Sequence, residues 1–178
     1  MKIYIIGAAG SGKTTLAKTI SETLNVKTTN LDEIFWSNTK EGYGIKRDIE
    51  ERNIIYDEIL QHDSWIIEGA YIQWPRKGFY LADEFVFLNL KESTVSYRII
   101  KRFFLRKLNI EKSNKKETFS SLVKLIKWNM KQVKIIRKFC NTSDTGSLNV
   151  REIKNEDDIK SFLKSLIKYQ TATNSLVQ

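Results

Sequence analysis

A short glycine-rich segment near the start of the chain constrains the fold more than any other feature. Residues 7–14 read Gly-Ala-Ala-Gly-Ser-Gly-Lys-Thr and fit the pattern G-x-x-x-x-G-K-[ST]. An apolar run, residues 2–6, precedes them, and residues 13–24 follow with helical apolar spacing. This order predicts a strand that turns through glycines into a helix, which is the arrangement of a phosphate-binding loop.

The chemistry expected of this loop follows from its residue types. Glycines allow backbone N–H groups to converge on a polyphosphate. Lys13 supplies a positive charge for the β- and γ-phosphates, and the Thr14 hydroxyl is placed to bind Mg²⁺. We therefore expect Mg²⁺ and a nucleoside triphosphate, ATP, as cofactors. The sequence contains no Asn-Lys-x-Asp motif, so it gives little support to a GTPase switch. The predicted nucleotide-binding residues are Gly7, Ala8, Ala9, Gly10, Ser11, Gly12, Lys13, Thr14 and Thr15.

The composition of the chain fits one globular domain. Its 178 residues are 41% hydrophobic, which is enough for a sizeable core. We expect residues 1–169 to form this domain and the polar residues 170–178 to form a flexible tail. No apolar run approaches the roughly 20 residues that span a bilayer, and no signal peptide is expected. With 1 cysteine and 1 histidine, the chain can form neither an internal disulfide nor a His/Cys zinc site alone, and cytoplasmic localisation is the default expectation.

Strand-like and helix-like segments alternate along the chain. The predicted strands are residues 2–6, 26–31, 65–68, 84–90 and 148–153, and the predicted helices are residues 13–24, 47–61, 93–107, 117–139 and 157–169. Such alternation indicates an α/β fold, a parallel sheet covered by helices on both faces. In such sheets ligands bind beyond the carboxyl ends of the strands, so the site is expected just after residues 6, 31, 68 and 90.

Two acidic residues lie at these predicted strand ends. Asp32 could hold Mg²⁺ through water or accept a proton from a hydroxyl group of a phosphate acceptor, and its alternative role is to cap a short helix that begins at Glu33. Glu68 follows three apolar strand residues. Burial of a carboxylate at this position destabilises the fold unless the carboxylate contacts a cation or water. Its alternative position is exposed at the tip of the strand. Gly69 would let the backbone approach a ligand, or would serve a turn.

Positive charge is concentrated in one part of the chain. Residues 91–138 carry 15 Lys and Arg against 3 acidic residues, and the whole chain has a net charge of +9. Arg98, Arg102 and Arg106 recur every four residues on one helix face, and guanidinium groups suit the charge of a transferring phosphoryl group. The alternatives are a solvated basic face and nucleic-acid binding through residues 98–138. The apolar stripe of the following helix is predicted to contain Leu122, Leu125, Ile126, Trp128, Met130, Val133 and Ile136.

Together these motifs resemble the adenylate-kinase-like branch of phosphate-loop proteins, and within it the small bacterial proteins known as DNA topology modulation proteins. The resemblance covers residues 1–168. Residues 7–14 carry it, together with Leu31-Asp32-x-x-x-Trp36, Trp65-Ile66-Ile67-Glu68-Gly69-x-Tyr71 and Tyr97-Arg98-x-x-Lys101-Arg102. The chain departs from the branch in having Glu68 where Asp is usual, and in lacking a well-formed lid domain between residues 103 and 119.

The resemblance implies a parallel sheet of five strands in the order 2-3-1-4-5, a substrate-covering segment near residues 33–62 and a lid region in residues 98–118. It also implies roles for particular side chains. Arg98 and Arg102 would grip phosphates, Glu68 and Gly69 would line the substrate site, and Arg76 would hold the phosphate of the acceptor.

The main hypothesis is a small ATP-dependent phosphotransferase, a kinase, whose acceptor the sequence leaves open. Mg²⁺ would be held by Thr14 and, through water, by Asp32 or Glu68, and Asp32 would also orient or deprotonate the acceptor. The rival hypothesis is a nucleotide-binding regulator that contacts nucleic acid through its basic helices, as the modulation of DNA topology would require. We expect a monomer or homodimer with no membrane partner. The predicted catalytic residues are Lys13, Asp32, Arg98 and Arg102.

Overall fold

The structure is a computed structural model that describes residues 1–37, 45–108, 110, 118–141 and 148–175. Its strands are β1 (Lys2–Gly7), β2 (Thr28–Asn30), β3 (Trp65–Gly69), β4 (Glu84–Leu88) and β5 (Val150–Ile153). Its helices are α1 (Lys13–Leu24), α2 (Leu31–Phe35), α3 (Ile49–Gln61), α4 (Arg76–Leu81), α5 (Glu92–Lys107), α6 (Phe119–Asn141) and α7 (Glu156–Ser175).

The strands form one parallel sheet of 5 strands in the order β2-β3-β1-β4-β5. β1 is central, since Ile6 lies opposite Gly69 of β3 and Phe87 of β4. The carboxyl ends of parallel strands share one edge of the sheet, so the segment that follows β1 leaves from the middle of that edge. The predicted α/β class and strand order are confirmed.

Both faces of the sheet are covered, because side chains alternate between the faces along each strand. Ile3 and Ile5 face a layer made by α1 and α7, where the core includes Leu16, Ile20, Phe162 and Leu166. Tyr4 and Ile6 face the opposite layer, where α3, α4 and α6 contribute Tyr56, Leu60, Phe79, Ile136 and Phe139. This two-sided burial explains why β1, β3 and β4 read as nearly continuous apolar runs.

One short helix, α4, was missed from the sequence, and another, α2, was expected only as an alternative that begins at Glu33. α2 begins directly after β2, and the Asn30 Oδ1 accepts a hydrogen bond from the backbone N–H of Asp32 at 2.8 Å. Asn30 is therefore the N-cap, and the alternative role of Asp32 as a cap is wrong. α4 follows Pro75 and buries Phe79, but its 6 residues are too few to show a helical period.

Several boundaries differ from the predicted ones. β2 is confined to Thr28–Asn30, and β4 ends at Leu88. The last helix continues to Ser175, so residues 170–175, expected in a polar tail, are helical. The predicted lid region begins within α5, and its residues 109 and 111–117 lie outside the described residues, as do residues 38–44 of the substrate-covering segment. None of the helices in the described ranges combines the length and the apolar composition that a bilayer span needs.

The buried face of α6 is narrower than the predicted stripe. Trp128 and Met130, expected in the core, are 46% and 42% exposed. Asn129 between them is buried, and it shares this face with Leu122 and Val133. The other five members of the predicted stripe are confirmed, since Leu122, Val133 and Ile136 are buried and Leu125 and Ile126 pack against the core.

Candidate functional site

The turn between β1 and α1 has the backbone geometry of a phosphate-binding loop. Gly10 and Gly12 have φ values of +78° and +96°, which side chains with a Cβ rarely adopt. A Cβ at Gly10 would also lie 3.0 Å from Ile99 Cγ1 and 3.2 Å from the carbonyl oxygen of Val95. Both glycines are therefore required by the turn, and Gly10 is required also by the close approach of α5.

Lys13 begins α1 and folds back across this turn. Its Nζ donates a hydrogen bond to the carbonyl oxygen of Ala8 at 3.0 Å. Burial lowers the pKa of Lys13, the nearby carboxylates of Glu68 and Asp32 oppose this effect, and Arg102 adds to it. The side chain is thus enclosed among charged groups from three other elements, as a lysine that meets phosphate groups would be.

Glu68 lies beside Lys13 and contacts the next residue of the loop. The Thr14 hydroxyl donates a hydrogen bond of 2.7 Å to Glu68 Oε1, across 54 residues of sequence. Glu68 is only 3% exposed, so the alternative of an exposed position at the strand's tip is wrong. Burial raises the pKa of Glu68, and Lys13 and the Thr14 hydroxyl partly offset this rise.

This pair of oxygen ligands fits a magnesium ion. Mg²⁺ keeps several of its waters in proteins and binds to only one or two carboxylates. The Thr14 hydroxyl and the Glu68 carboxylate, whose oxygens lie 2.7 Å apart, are therefore enough protein ligands for this ion. Within the described ranges, no group of three or more His, Cys, Asp or Glu residues is arranged to hold a metal ion. The donor set therefore suits Mg²⁺ that is shared with phosphate oxygens.

Asp32 approaches the loop from α2. It is close enough to Lys13 to counteract the lowering of the lysine pKa. The Tyr71 hydroxyl donates a hydrogen bond of 2.7 Å to Asp32 Oδ1. Burial and this hydrogen bond raise the pKa of Tyr71, so Tyr71 stays protonated and acts as the donor. Tyr71 belongs to one of the motifs singled out from the sequence, but its bond to Asp32 was not foreseen.

Arg98 of α5 contacts the loop, and Arg102 lies near Lys13. Arg98 Nη1 donates to the carbonyl oxygen of Ser11 at 3.4 Å, and its Nη2 lies 4.0 Å from Glu156. Arg102 is near enough to Lys13 to lower the lysine pKa. The packing of Val95 and Ile99 against Gly10 brings this face of α5 to the loop. The positively charged groups of Lys13, Arg98 and Arg102 therefore share one site.

Two predicted site residues, Arg76 and Gly69, have surroundings that differ from those expected. Arg76 is exposed at the start of α4, and its guanidinium lies 5.8 Å from the centre of the Phe139 ring. Gly69 is the last residue of β3 rather than part of a turn, and a Cβ there would lie 2.7 Å from Leu31 Cδ1. Packing against Leu31 thus accounts for this glycine. Thr15 is exposed next to Thr14 at the start of α1, and its role in nucleotide binding stays a prediction.

Asn129 of α6 is the residue of the site that sequence reasoning missed. Its carboxamide Oδ1 accepts a hydrogen bond from the backbone N–H of Ala9 at 2.8 Å, and its Nδ2 donates to the carbonyl oxygen of Ala9 at 3.0 Å. The side chain is 3% exposed. The available signal was a polar residue at a buried position of an amphipathic helix, where an unpaired amide would be costly.

The basic residues of α5 and α6 are partly used inside the protein. Arg137 donates to Asn89 Oδ1 at 2.7 Å, to Glu92 Oε1 at 2.8 Å and to the carbonyl oxygen of Leu90 at 3.4 Å. It therefore joins α6 to the segment that follows β4. Because Arg98 and Arg102 face the phosphate-binding loop, these three arginines are not part of a free basic face, and no contact in the described ranges favours the nucleic-acid alternative.

Comparison with known proteins identifies the fold class. No protein-family model matches the chain, and no curated protein sequence matches it. Among solved structures, a gluconokinase from Sinorhizobium meliloti 1021 is similar over 99% of this chain and 96% of its own, with 16% identity and a TM-score of 0.56. A shikimate kinase from Bacteroides thetaiotaomicron is similar over 96% of this chain and 98% of its own, with 18% identity and a TM-score of 0.57.

A third similar structure is a deoxyadenosine kinase from M. mycoides with bound dATP. It covers 100% of both chains, with 15% identity and a TM-score of 0.51. The chain thus has the α/β fold of P-loop kinases. At these identities the similarity concerns the fold alone, and the DNA topology modulation proteins remain a resemblance of motifs.

Proposed function

We propose that this chain is a Mg²⁺- and ATP-dependent phosphotransferase that acts on a small molecule. The observation that carries the proposal is the 2.7 Å hydrogen bond between Thr14 and the buried carboxylate of Glu68, with Lys13 beside it. A hydroxyl, a carboxylate and an ammonium group at the end of β1 form a site for a triphosphate and its metal ion. The kinases of similar fold support the same class of reaction.

In this proposal the loop amides and Lys13 bind the β- and γ-phosphates, and Thr14 and Glu68 hold Mg²⁺, which neutralises phosphate charge when bound. Arg98 and Arg102 stabilise the charge on the phosphoryl group during transfer. Exclusion of water over the site then favours transfer to the acceptor over hydrolysis.

Asp32 is the proposed group that orients the acceptor. Tyr71 occupies Oδ1, and Oδ2 is left to accept a hydrogen bond from the acceptor hydroxyl. The acceptor oxygen forms a bond to the γ-phosphorus while the bond from that phosphorus to the β–γ bridging oxygen breaks. The hydroxyl proton passes to Asp32 or to water, and the products are ADP and a phosphate ester.

The experiment is a screen of phosphate acceptors with Mg²⁺ and ATP, in which ADP release is measured. Lys13→Ala is expected to reduce ADP release by about 10²–10³-fold, since it removes a charge that faces the transferred group. Lys18→Ala is the matched control, because Lys18 lies on the same helix with its side chain 78% exposed. Equal rates in the Lys13→Ala and Lys18→Ala proteins would contradict the proposal, as would calorimetry that detects no binding of Mg²⁺–ATP.

A further inference from the structure

A group of aromatic side chains lies next to Asp32. Phe35, Trp36, Tyr71 and Trp74, which we call the aromatic wall, are all half-buried, so parts of their rings remain accessible. The Phe35 and Tyr71 rings stack with their centres 4.9 Å apart and an angle of 24° between their planes. Trp36 lies 5.0 Å from Phe35, and Trp74 lies 5.8 Å from Tyr71.

The aromatic wall is joined directly to the proposed site of phosphoryl transfer. Tyr71 contributes its ring to the wall and its hydroxyl to Asp32 Oδ1. Phe35 lies three residues after Asp32 on α2, which corresponds to about 4.5 Å along a helix. A small molecule with a hydroxyl group at Asp32 would therefore place its carbon skeleton against the wall.

Two cations lie over this wall. The Arg52 guanidinium is 4.6 Å from the centre of the Trp74 ring and 5.9 Å from that of Phe35. The Lys46 ammonium group is 5.9 Å from the centre of the same Phe35 ring. Lys46 precedes α3 and Arg52 lies within it, and both side chains approach the ring of Phe35.

These two cations differ from their neighbours in having no carboxylate partner within the described ranges. The side-chain hydrogen bonds of Arg52 both go to the neutral Asn53 Oδ1, at 3.4 and 3.2 Å. Arg47, in contrast, pairs with Glu51, and Lys77 pairs with Asp57 at 2.7 Å. Cation–π contact alone explains one positive group on an aromatic face. Two such groups without a counter-charge, beside the position of the acceptor, favour an anion.

We infer that the acceptor is a small hydroxylated acid whose anionic group binds Arg52 and Lys46. This inference rests on the proposed function, because it assigns the substrate class of the same site. The acceptor hydroxyl lies at Asp32, the carbon skeleton lies on the aromatic wall, and a carboxylate or a phosphate monoester lies at the two cations. Arg76, the residue expected from resemblance to hold an acceptor phosphate, is not part of this cluster.

The test compares matched acceptors with Mg²⁺ and ATP. One arm pairs hydroxycarboxylic acids with their amides, and the other pairs sugar phosphates with the free sugars, so that carboxylate and phosphate recognition are distinguished. ADP release and the mass of the phosphorylated product are measured for the wild-type, Arg52→Gln and Lys46→Gln proteins. Lys77→Gln is the control, since it removes an exposed cation that already has a carboxylate partner.

We expect kcat/KM to be higher for the anionic member of a pair, by about 10- to 100-fold. Arg52→Gln should remove most of this preference, chiefly by raising KM for the anionic acceptor, and Lys77→Gln should leave it unchanged. Transfer confined to neutral acceptors, or equal losses for both members of a pair in Arg52→Gln, would overturn the inference and leave the proposed function intact. Binding of Mg²⁺–ATP without transfer to any acceptor would overturn the proposed function as well.

Discussion

The side chain of Asn129 forms a closed pair of hydrogen bonds with the backbone of Ala9, 120 residues earlier in the chain. One amide group thus satisfies both the N–H and the C=O of a residue in the middle of the phosphate-binding loop. The loop is held by α6 as well as by the strand and helix that flank it. This explains why a helix distant in sequence belongs to the site.

Replacement of Asn129 should loosen the loop. Asn129→Leu leaves the N–H and C=O groups of Ala9 without these partners, at a cost of about 2 kcal/mol in the free energy of unfolding. Asn129→Asp keeps an acceptor for the N–H but places a negative charge next to the phosphate site, so it should weaken the binding of Mg²⁺–ATP by at least about tenfold. Chemical denaturation and calorimetry measure the two effects. Asn141→Leu, at the exposed end of the same helix, is the control, and similar losses in both positions would contradict a specific role for Asn129.

Glu68 should make nucleotide binding depend on pH. Its pKa is raised above the ordinary value of 4.5 by burial, so it becomes protonated at a higher pH than an exposed glutamate. We expect the Mg²⁺-dependent affinity for ATP to fall as the pH is lowered through this raised pKa, and Glu68→Gln to remove the dependence together with much of the affinity. Titration calorimetry at several pH values tests this, and an unchanged pH profile in Glu68→Gln would contradict it.

The same shift has an opposite consequence for the stability of the protein without ligands. The folded state binds the Glu68 proton more readily than the unfolded state, so Glu68 lowers the free energy of unfolding as the pH rises from 4.5 to the raised pKa, and the loss levels off above it. The free energy of unfolding should therefore decrease over this interval in the wild type and less so in Glu68→Gln. Denaturant titrations across the pH range measure the difference, and parallel curves for the two proteins would contradict the assignment.

Arg98 should act on the rate of transfer. Its guanidinium approaches the loop at Ser11, whereas Lys101 on the same helix is exposed. Arg98→Ala is expected to lower kcat by about 10²-fold or more, with a smaller change in the affinity for ATP, because it removes charge stabilisation of the transferring group. Lys101→Ala should retain the wild-type kcat. Steady-state kinetics with the best acceptor measure kcat and KM for the three proteins. A higher KM with unchanged kcat in Arg98→Ala would contradict this prediction and assign Arg98 to binding.

Cys140 should be unreactive and dispensable. Burial raises the pKa of its thiol to about 12, so at pH 8 the thiolate fraction is on the order of 10⁻⁴. A thiol reagent should label the folded protein much more slowly than the protein in denaturant. Cys140→Ser should bind Mg²⁺–ATP as the wild type does. Rapid labelling at neutral pH, or loss of nucleotide binding in Cys140→Ser, would assign this thiol a role in the site.

The sequence determined the fold class, the strand order implied by resemblance and the backbone of the loop. These features depend on local or periodic signals: glycines at 10 and 12 where φ is positive, and apolar strands covered on both faces. The sequence also placed Asp32 and Glu68 at the sheet edge, since the ends of parallel strands must converge there.

Only the tertiary structure decided which side chains meet. The bond from Tyr71 to Asp32 spans 39 residues, and the bonds from Asn129 to Ala9 span 120. Such contacts depend on how α2 leaves β2 and on which face of α6 is buried, and neither is specified by a local pattern. The exposure of Trp128 and Met130 on α6 and the position of Arg76 have the same cause, because the packing of the whole chain determines which side chains are covered.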